Sequence, residues 1–290
     1  VDNKSKGIMF ILISSLSFAV MGAFVKLSGN IPSIEKSFFR NLVSCIVAFF
    51  MIIYHKNSFF GKRENQKYLF WRAFLGTLGV ICYFYAIDHM VLSDSAMLNK
   101  LSPFFVTIFA VIFLKEKIRS VQIVGLFTAF IGGLLIIKPS FSISVLPALI
   151  GLASAIFAGG AYTIVRFLGS REKYYTIVFY FSFFSIVSTL PFMLMVYKPL
   201  TLKQIMILVA AGIFASIGQF ALTIGYKYAP ASEIAIYDYV NIIFSAIIGQ
   251  LIWSEIPDIL SIVGYVMIIG SSIIAYIYNK RSVFRREKNN

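Results

Sequence analysis

The sequence predicts an all-α integral membrane protein of ten transmembrane helices, arranged as two inverted five-helix repeats. Three observations carry this. The chain is 59% hydrophobic and 13% charged, and apolar segments near the ~20 residues that cross a bilayer recur along its whole length. The halves repeat each other at a constant offset of 139 residues, so that Ser15 falls on Ser154, Phe18 on Phe157, Gly79 on Gly218, Ser93 on Ser232, Ala96 on Ala235, Glu116 on Glu255 and Gly125 on Gly264. An odd number of helices per repeat then obliges the second copy to enter the membrane from the side opposite the first, the inverted plan that recurs in secondary transporters.

The spans are expected at 7–27, 34–54, 69–88, 94–113, 121–137, 145–166, 174–196, 204–226, 232–252 and 259–278. The first follows Lys4 and Lys6 as a secretory signal would, but it runs beyond a usual signal core and aligns with the sixth span, so it reads as a retained helix. The connections are mostly short, and nothing outside the spans could bury a soluble core. The first repeat is placed at 1–138, the second at 139–290 with a basic tail.

The net charge of +14 does not point to nucleic acid, because the basic residues alternate by loop. Lys4 and Lys6 precede the first span; Lys56, Lys62, Arg63 and Lys67 fill the second loop; Lys115, Lys117 and Arg119 the fourth; Arg166, Arg171 and Lys173 the sixth; Lys280, Arg281, Arg285, Arg286 and Lys288 end the chain. The third and ninth loops carry Asp88, Asp94, Glu255 and Asp258 instead. An excess of Lys and Arg marks cytoplasmic loops, so both termini are expected in the cytoplasm, with 28–33 and 88–93 outside. Lys198 and Lys203 run against this trend, and the eighth loop offers only Lys227. Cys45 and Cys82 fall inside apolar spans and read as buried thiols; His55 and His89 lack metal-ligand spacing. No cofactor and no metal are expected.

A family resemblance follows from the motifs. Arg72-Ala-Phe-Leu-Gly76-Thr-Leu-Gly79, Tyr83-Phe-Tyr85-Ala86, Leu92-Ser93-Asp94-Ser95-Ala96, Leu101-Ser102-Pro103 and Phe113-Leu114-Lys115-Glu116, followed by Gly125 and Gly132-Gly133, resemble the EamA-type branch of the drug/metabolite transporter superfamily. So do Ala229-Pro230-Ala231-Ser232-Glu233, Ser254-Glu255 and Gly264 in the second copy, and Phe39-Arg40-Asn41 at the start of the second span. The resemblance covers nearly the whole chain. It implies ten helices, cytoplasmic termini, a central cavity and carriage of small metabolites, often outward. Ile242 stands where the first copy has Pro103, so the two halves need not bend alike.

Polar groups in hydrocarbon are the default site residues, since each is costly unless it faces the bundle interior. Asp238, Asn241, Ser245 and Gly249 fall on one face of the ninth span, with Ile243, Ile247 and Leu251 turned to lipid or packing. Asn99 and Lys100 are the repeat counterparts of Asp238 and Tyr239, with Pro103 and Thr107 farther along. The inversion is expected to put the first pair toward the outer third of the membrane and the second toward the inner third. Asp238 can couple protons, bind a substrate amine, or form a structural ion pair with Lys100 or Arg40. Lys100 can take a substrate anion, pair with Asp94 or Asp238, or snorkel. Arg40 suits a carboxylate clamp or a lock between helices. Tyr83 and Gln219 are candidates because a phenol or an amide in hydrocarbon needs a partner. Tyr162 joins them from the sixth span, where Gly159-Gly160 allows bending or room beside the cavity. The small-residue stripe Gly212, Ser216 and Thr223 reads as close packing, and Glu116 and Glu255 as caps or loop contacts.

No phosphate loop, metal cluster or nucleophile elbow is present. The expected function is secondary active transport, by alternating access, of a small polar or amphipathic metabolite: an amino acid or a related anionic or zwitterionic compound, with export one direction. Nucleotide-related and organic-acid substrates are the alternatives within transport. A membrane-embedded enzyme acting on a lipid with Asp238 as base, or a channel, are those outside it. The partners expected are the substrate, the lipid bilayer of the inner membrane and protons as coupling ion; a homodimer is one arrangement the sequence admits.

Overall fold

The computed structural model describes residues 3–114, 120–137, 145–168, 171–195, 199–228 and 235–287. The apolar runs become helices in chain order: α1 (Asn3–Leu27), α2 (Ser33–Tyr54), α3 (Gln66–His89), α4 (Leu92–Asn99), α5 (Ser102–Leu114), α6 (Ser120–Ile137), α7 (Leu146–Leu168), α8 (Tyr174–Met195), α9 (Leu202–Tyr228), α10 (Val240–Trp253) and α11 (Ile259–Glu287). No strand occurs among the described residues. Among the described residues seven segments are long and apolar enough to cross a membrane, and Ile123–Ile136 and Ile259–Ser271 are shorter apolar helices. The molecule is therefore an all-helical, multi-pass membrane protein. Glu116, its neighbours Lys115, Lys117 and Arg119, and Ser232 of the repeat lie outside the described residues.

Local chemistry sets the helix ends. After α1, Gly29 adopts φ +74°, a left-handed conformation that costs glycine nothing, and Pro32 at φ −54° then leads directly into α2. Ser254 closes α10 in the same left-handed region at φ 56° and so turns the chain toward Glu255.

The expected fourth and ninth spans are not continuous helices. Between α4 and α5 the chain tightens, with Leu101 N donating to Leu98 O three residues back. In the second half residues Ala235–Tyr239 form a 3-10 turn before α10 starts at Val240. Asp238 therefore sits in that turn and not on the helix that carries Asn241, and Lys100 lies outside any helix. Pro103 has no N–H to offer the turn before it, yet Ile242 does, and the winding changes from 3-10 to α at the matching place all the same. The breaks coincide in repeat register, at 99–101 and 238–240, whether or not proline follows.

The helices pack across the halves: α1 on α9, α3 on α7, α2 on α8, α6 on α11, and α4 on α10. Exchanging the halves by the 139-residue offset turns the first contact into the second and leaves α2 on α8 and α6 on α11 unchanged. Single contacts obey the same rule. A Cβ on Gly79 would meet Phe157 Cβ at 3.5 Å, and one on Gly218 would meet the Phe18 ring at 3.0 Å. The outward faces are apolar, Ile243, Ile247 and Leu251 being exposed while Asn241, Ser245 and Gly249 are buried. That distribution is expected where the solvent is hydrocarbon.

Charges also stand at the bundle ends. Lys36, fully buried, bonds Asp88 at 2.6 Å and the Val25 carbonyl at 3.0 Å. Lys26 pairs with Glu255, whose second oxygen accepts from Leu92 N at 3.0 Å and caps α4. Glu255 thus contacts a loop and caps a helix, as its place at a helix end suggests.

Candidate functional site

The two breaks face each other at the centre of the bundle. A broken helix in hydrocarbon exposes backbone and polar side chains, which is tolerated only where they are buried in protein or line a cavity. Here they do the latter. One cavity is lined by Asn99 and Lys100 from the first break and by Asp238 and Asn241 from the second. Arg40 of α2, Tyr83 of α3, Tyr162 of α7 and Gln219 of α9 add to its polar wall. The structure brings all eight residues singled out in the sequence to this one space.

Its geometry is built twice. Ser15 Oγ donates to Asp238 Oδ1 at 3.0 Å, and Asn99 Nδ2 donates to Ser154 Oγ at 3.1 Å. Ser15 and Ser154 are repeat counterparts, as are Asp238 and Asn99, so each half lends a serine to the other half's break. Both serines are fully buried. They entered the sequence reading only as register marks; their place in the repeat opposite the polar pair was the available signal.

Across the middle, Lys100 Nζ meets Asp238 Oδ2 at 2.5 Å. The two pairs, expected toward opposite thirds of the membrane, are thus in contact across the cavity. Of the readings open to Asp238 and Lys100, the ion pair is the one observed in this conformation, and it lies inside the cavity. Asn241 holds α1, its amide donating to Ser15 O at 2.7 Å.

Two arginines, Arg40 and Arg72, share the cavity with this pair. Both line the cavity, and they are only 6% and 5% exposed. Their guanidinium carbons lie 5.5 and 4.0 Å from the centroid of the Phe181 ring, a cation–π seat. Arg40 Nη1 donates to Asn41 Oδ1 at 2.7 Å. Arg40 Nε and Arg72 Nε and Nη1 have no hydrogen-bond partner among the described residues. Arg72 belongs to the family-like motif but was not singled out as a site residue. Its charge within an apolar span was the signal.

Elsewhere the small residues pack. A Cβ on Gly212 would fall 2.6 Å from Val43 Cγ2, and Ser216 Oγ is shared with Ser44 at 3.1 Å. No cluster of His, Cys, Asp and Glu able to hold a metal occurs among the described residues.

Comparison with known proteins supplies the family. The EamA-like transporter family profile matches residues 5–138 and again 145–277. The pseudopaline exporter CntI of Pseudomonas aeruginosa is 35% identical over 276 residues, covering 94% of this chain and 96% of its own. Human solute carrier family 35 member G1 is 26% identical over 93% of this chain and 79% of its own, and the riboflavin transporter of Brucella anthropi 28% identical over 84% and 88%. A solved crystal structure superposes with a TM-score of 0.66 at 15% identity, covering 96% of this chain and 98% of that one, which shows a shared fold. The chain belongs to the EamA-like transporter family of the drug/metabolite transporter superfamily.

Proposed function

We propose that the protein is a secondary active transporter that exports a small carboxylate-bearing metabolite, an amino acid or a related anionic or zwitterionic compound, across the inner membrane. Two inverted five-helix halves, ten spans in all with both termini cytoplasmic, alternate access around the central cavity. The observation that carries this is the composition of the cavity wall: both halves contribute, and cationic side chains outnumber the single carboxylate, Asp238. The reciprocal serine contacts support two similar halves around one site, and the resemblance to an exporter supports the direction.

The coupling step follows from the ion pair. A substrate carboxylate that reaches Lys100 competes with Asp238 for the ammonium, and the released carboxylate is free to take a proton. Substrate and proton would then be held and carried together, Arg40 and Arg72 holding the acid end of the substrate and Tyr83, Tyr162 and Gln219 its remaining polar groups.

The test is counterflow in proteoliposomes with labelled amino acids, organic acids, nucleotide-related compounds and cationic controls. Saturable counterflow of at least one anionic or zwitterionic solute is expected. Counterflow of cations or neutral solutes alone would refute the substrate class. Conductance without counterflow would indicate a channel, and a chemically altered solute a membrane enzyme.

A further inference from the structure

The charges around the cavity do not balance, and the surplus has a location. Lys100 is matched by Asp238, which also accepts from Ser15 and so has its near side occupied. Arg40 and Arg72 remain, both buried, neither forming an ion pair among the described residues, and three of their N–H-bearing nitrogens are unmatched. A guanidinium removed from water is strongly disfavoured unless an anion and hydrogen bonds replace the water. Two such groups share one aromatic ring, Phe181. The local backbone accommodates this: a Cβ on Gly76 would lie 2.5 Å from Arg72 Nη1 and 3.0 Å from the Phe181 ring, so glycine at 76 leaves the space that Arg72 fills.

Building on the proposed carriage of a carboxylate-bearing metabolite, we infer that the substrate end seated here is doubly negative, two carboxylates or one phosphoryl group, gripped jointly by Arg40 and Arg72, with Arg72 setting the preference. The planar fork of arginine matches the oxygen pairs of carboxylate and phosphate alike. A single negative charge would leave one of the two buried guanidiniums without a counter-ion. A doubly negative end neutralises both and meets the unmatched N–H groups.

The test uses the purified full chain in nanodiscs and reads thermal stabilisation, which reports binding whichever way the solute is carried. The probes are straight-chain dicarboxylates of increasing length, acidic amino acids, and phosphate monoesters. Each is set beside its monoamide or monocarboxylate counterpart, with choline and a neutral sugar as controls. At least one doubly negative probe is expected to bind about tenfold more tightly than its singly charged counterpart. Arg72→Gln and Arg72→Lys should both bring the ratio of dianion to monoanion affinity down to about one. A merely structural arginine would not change the ratio of the two affinities. Preference for dicarboxylates or for phosphate monoesters assigns the group, and either outcome supports the inference. Equal binding of single and double anions, or no stabilisation by any dianion at millimolar concentration, overturns it. Equal binding leaves the carriage of a carboxylate-bearing metabolite standing, whereas stabilisation by choline or sugar alone sinks both.

Discussion

Asp238 holds two partners, Ser15 from the other half and Lys100 from the facing break, and its counterpart Asn99 makes the equivalent serine contact with an amide. The fold already accepts an amide at this register, which makes Asp238→Asn a clean variant: shape and the serine contact stay while the charge goes. Transport driven by a pH gradient in proteoliposomes should fall at least about tenfold, and the melting temperature should fall as well, because Lys100 is left without its counter-ion. Counterflow, which moves no net protons, should persist. Undiminished gradient-driven transport would place coupling elsewhere. Polar candidates such as Asp238 and Gln219 were legible because a charged or amide group stands out in an apolar run. Arg72 was less so. It lies only three residues inside the expected third span, where a long basic side chain ordinarily reaches back to the headgroups, and only the folded position of Phe181 shows that it turns inward.

At the scale of helices, most boundaries were readable to within a few residues, because span length follows from hydrocarbon thickness. The interruptions were not. Periodicity cannot reveal where the helical winding changes, since the polar groups that meet there are far apart in the sequence, Lys100 with Asp238 and Asp238 with Ser15. Close crossings are equally silent in composition. A Cβ on Gly264 of α11 would fall 2.6 Å from the carbonyl oxygen of Gly132 on α6, whereas one on Gly270 of the same helix meets nothing within 4 Å. Gly264→Ala should therefore cost ~1–3 kcal/mol, as over-packing does. Gly270→Ala should be neutral or slightly stabilising, since alanine is the better helix former. Thermal unfolding in detergent distinguishes the two; equal melting temperatures would mean that α6 and α11 can part without loss.

Taken whole, the molecule is fastened across its halves at both ends of the bundle. At one end Lys26 pairs with Glu255, Leu92 N donates to Glu255, and Tyr265 donates to Asp94. At the other, Glu172 accepts from Lys62 N at 2.8 Å and from Asn65 Nδ2 at 2.7 Å, while Asn57 Nδ2 donates to Tyr175 Oη at 2.7 Å. Rocking of one half against the other must release one set while keeping the other. Glu255→Gln removes the carboxylate charge that attracts Lys26 and weakens a helix cap, so it should shift the population toward opening at that end, the outer one in the proposed topology. Glu172→Gln should shift it the opposite way. The readout is a cysteine at Ala161, a buried residue on the cavity wall, with Cys45 and Cys82 replaced by serine. In intact cells an impermeant maleimide should label it several-fold faster with Glu255→Gln and more slowly with Glu172→Gln. A cysteine at exposed Asn30 should label alike in both. Exchange of the two effects would invert the membrane orientation, and identical rates would show that these ties fasten the fold without gating the path.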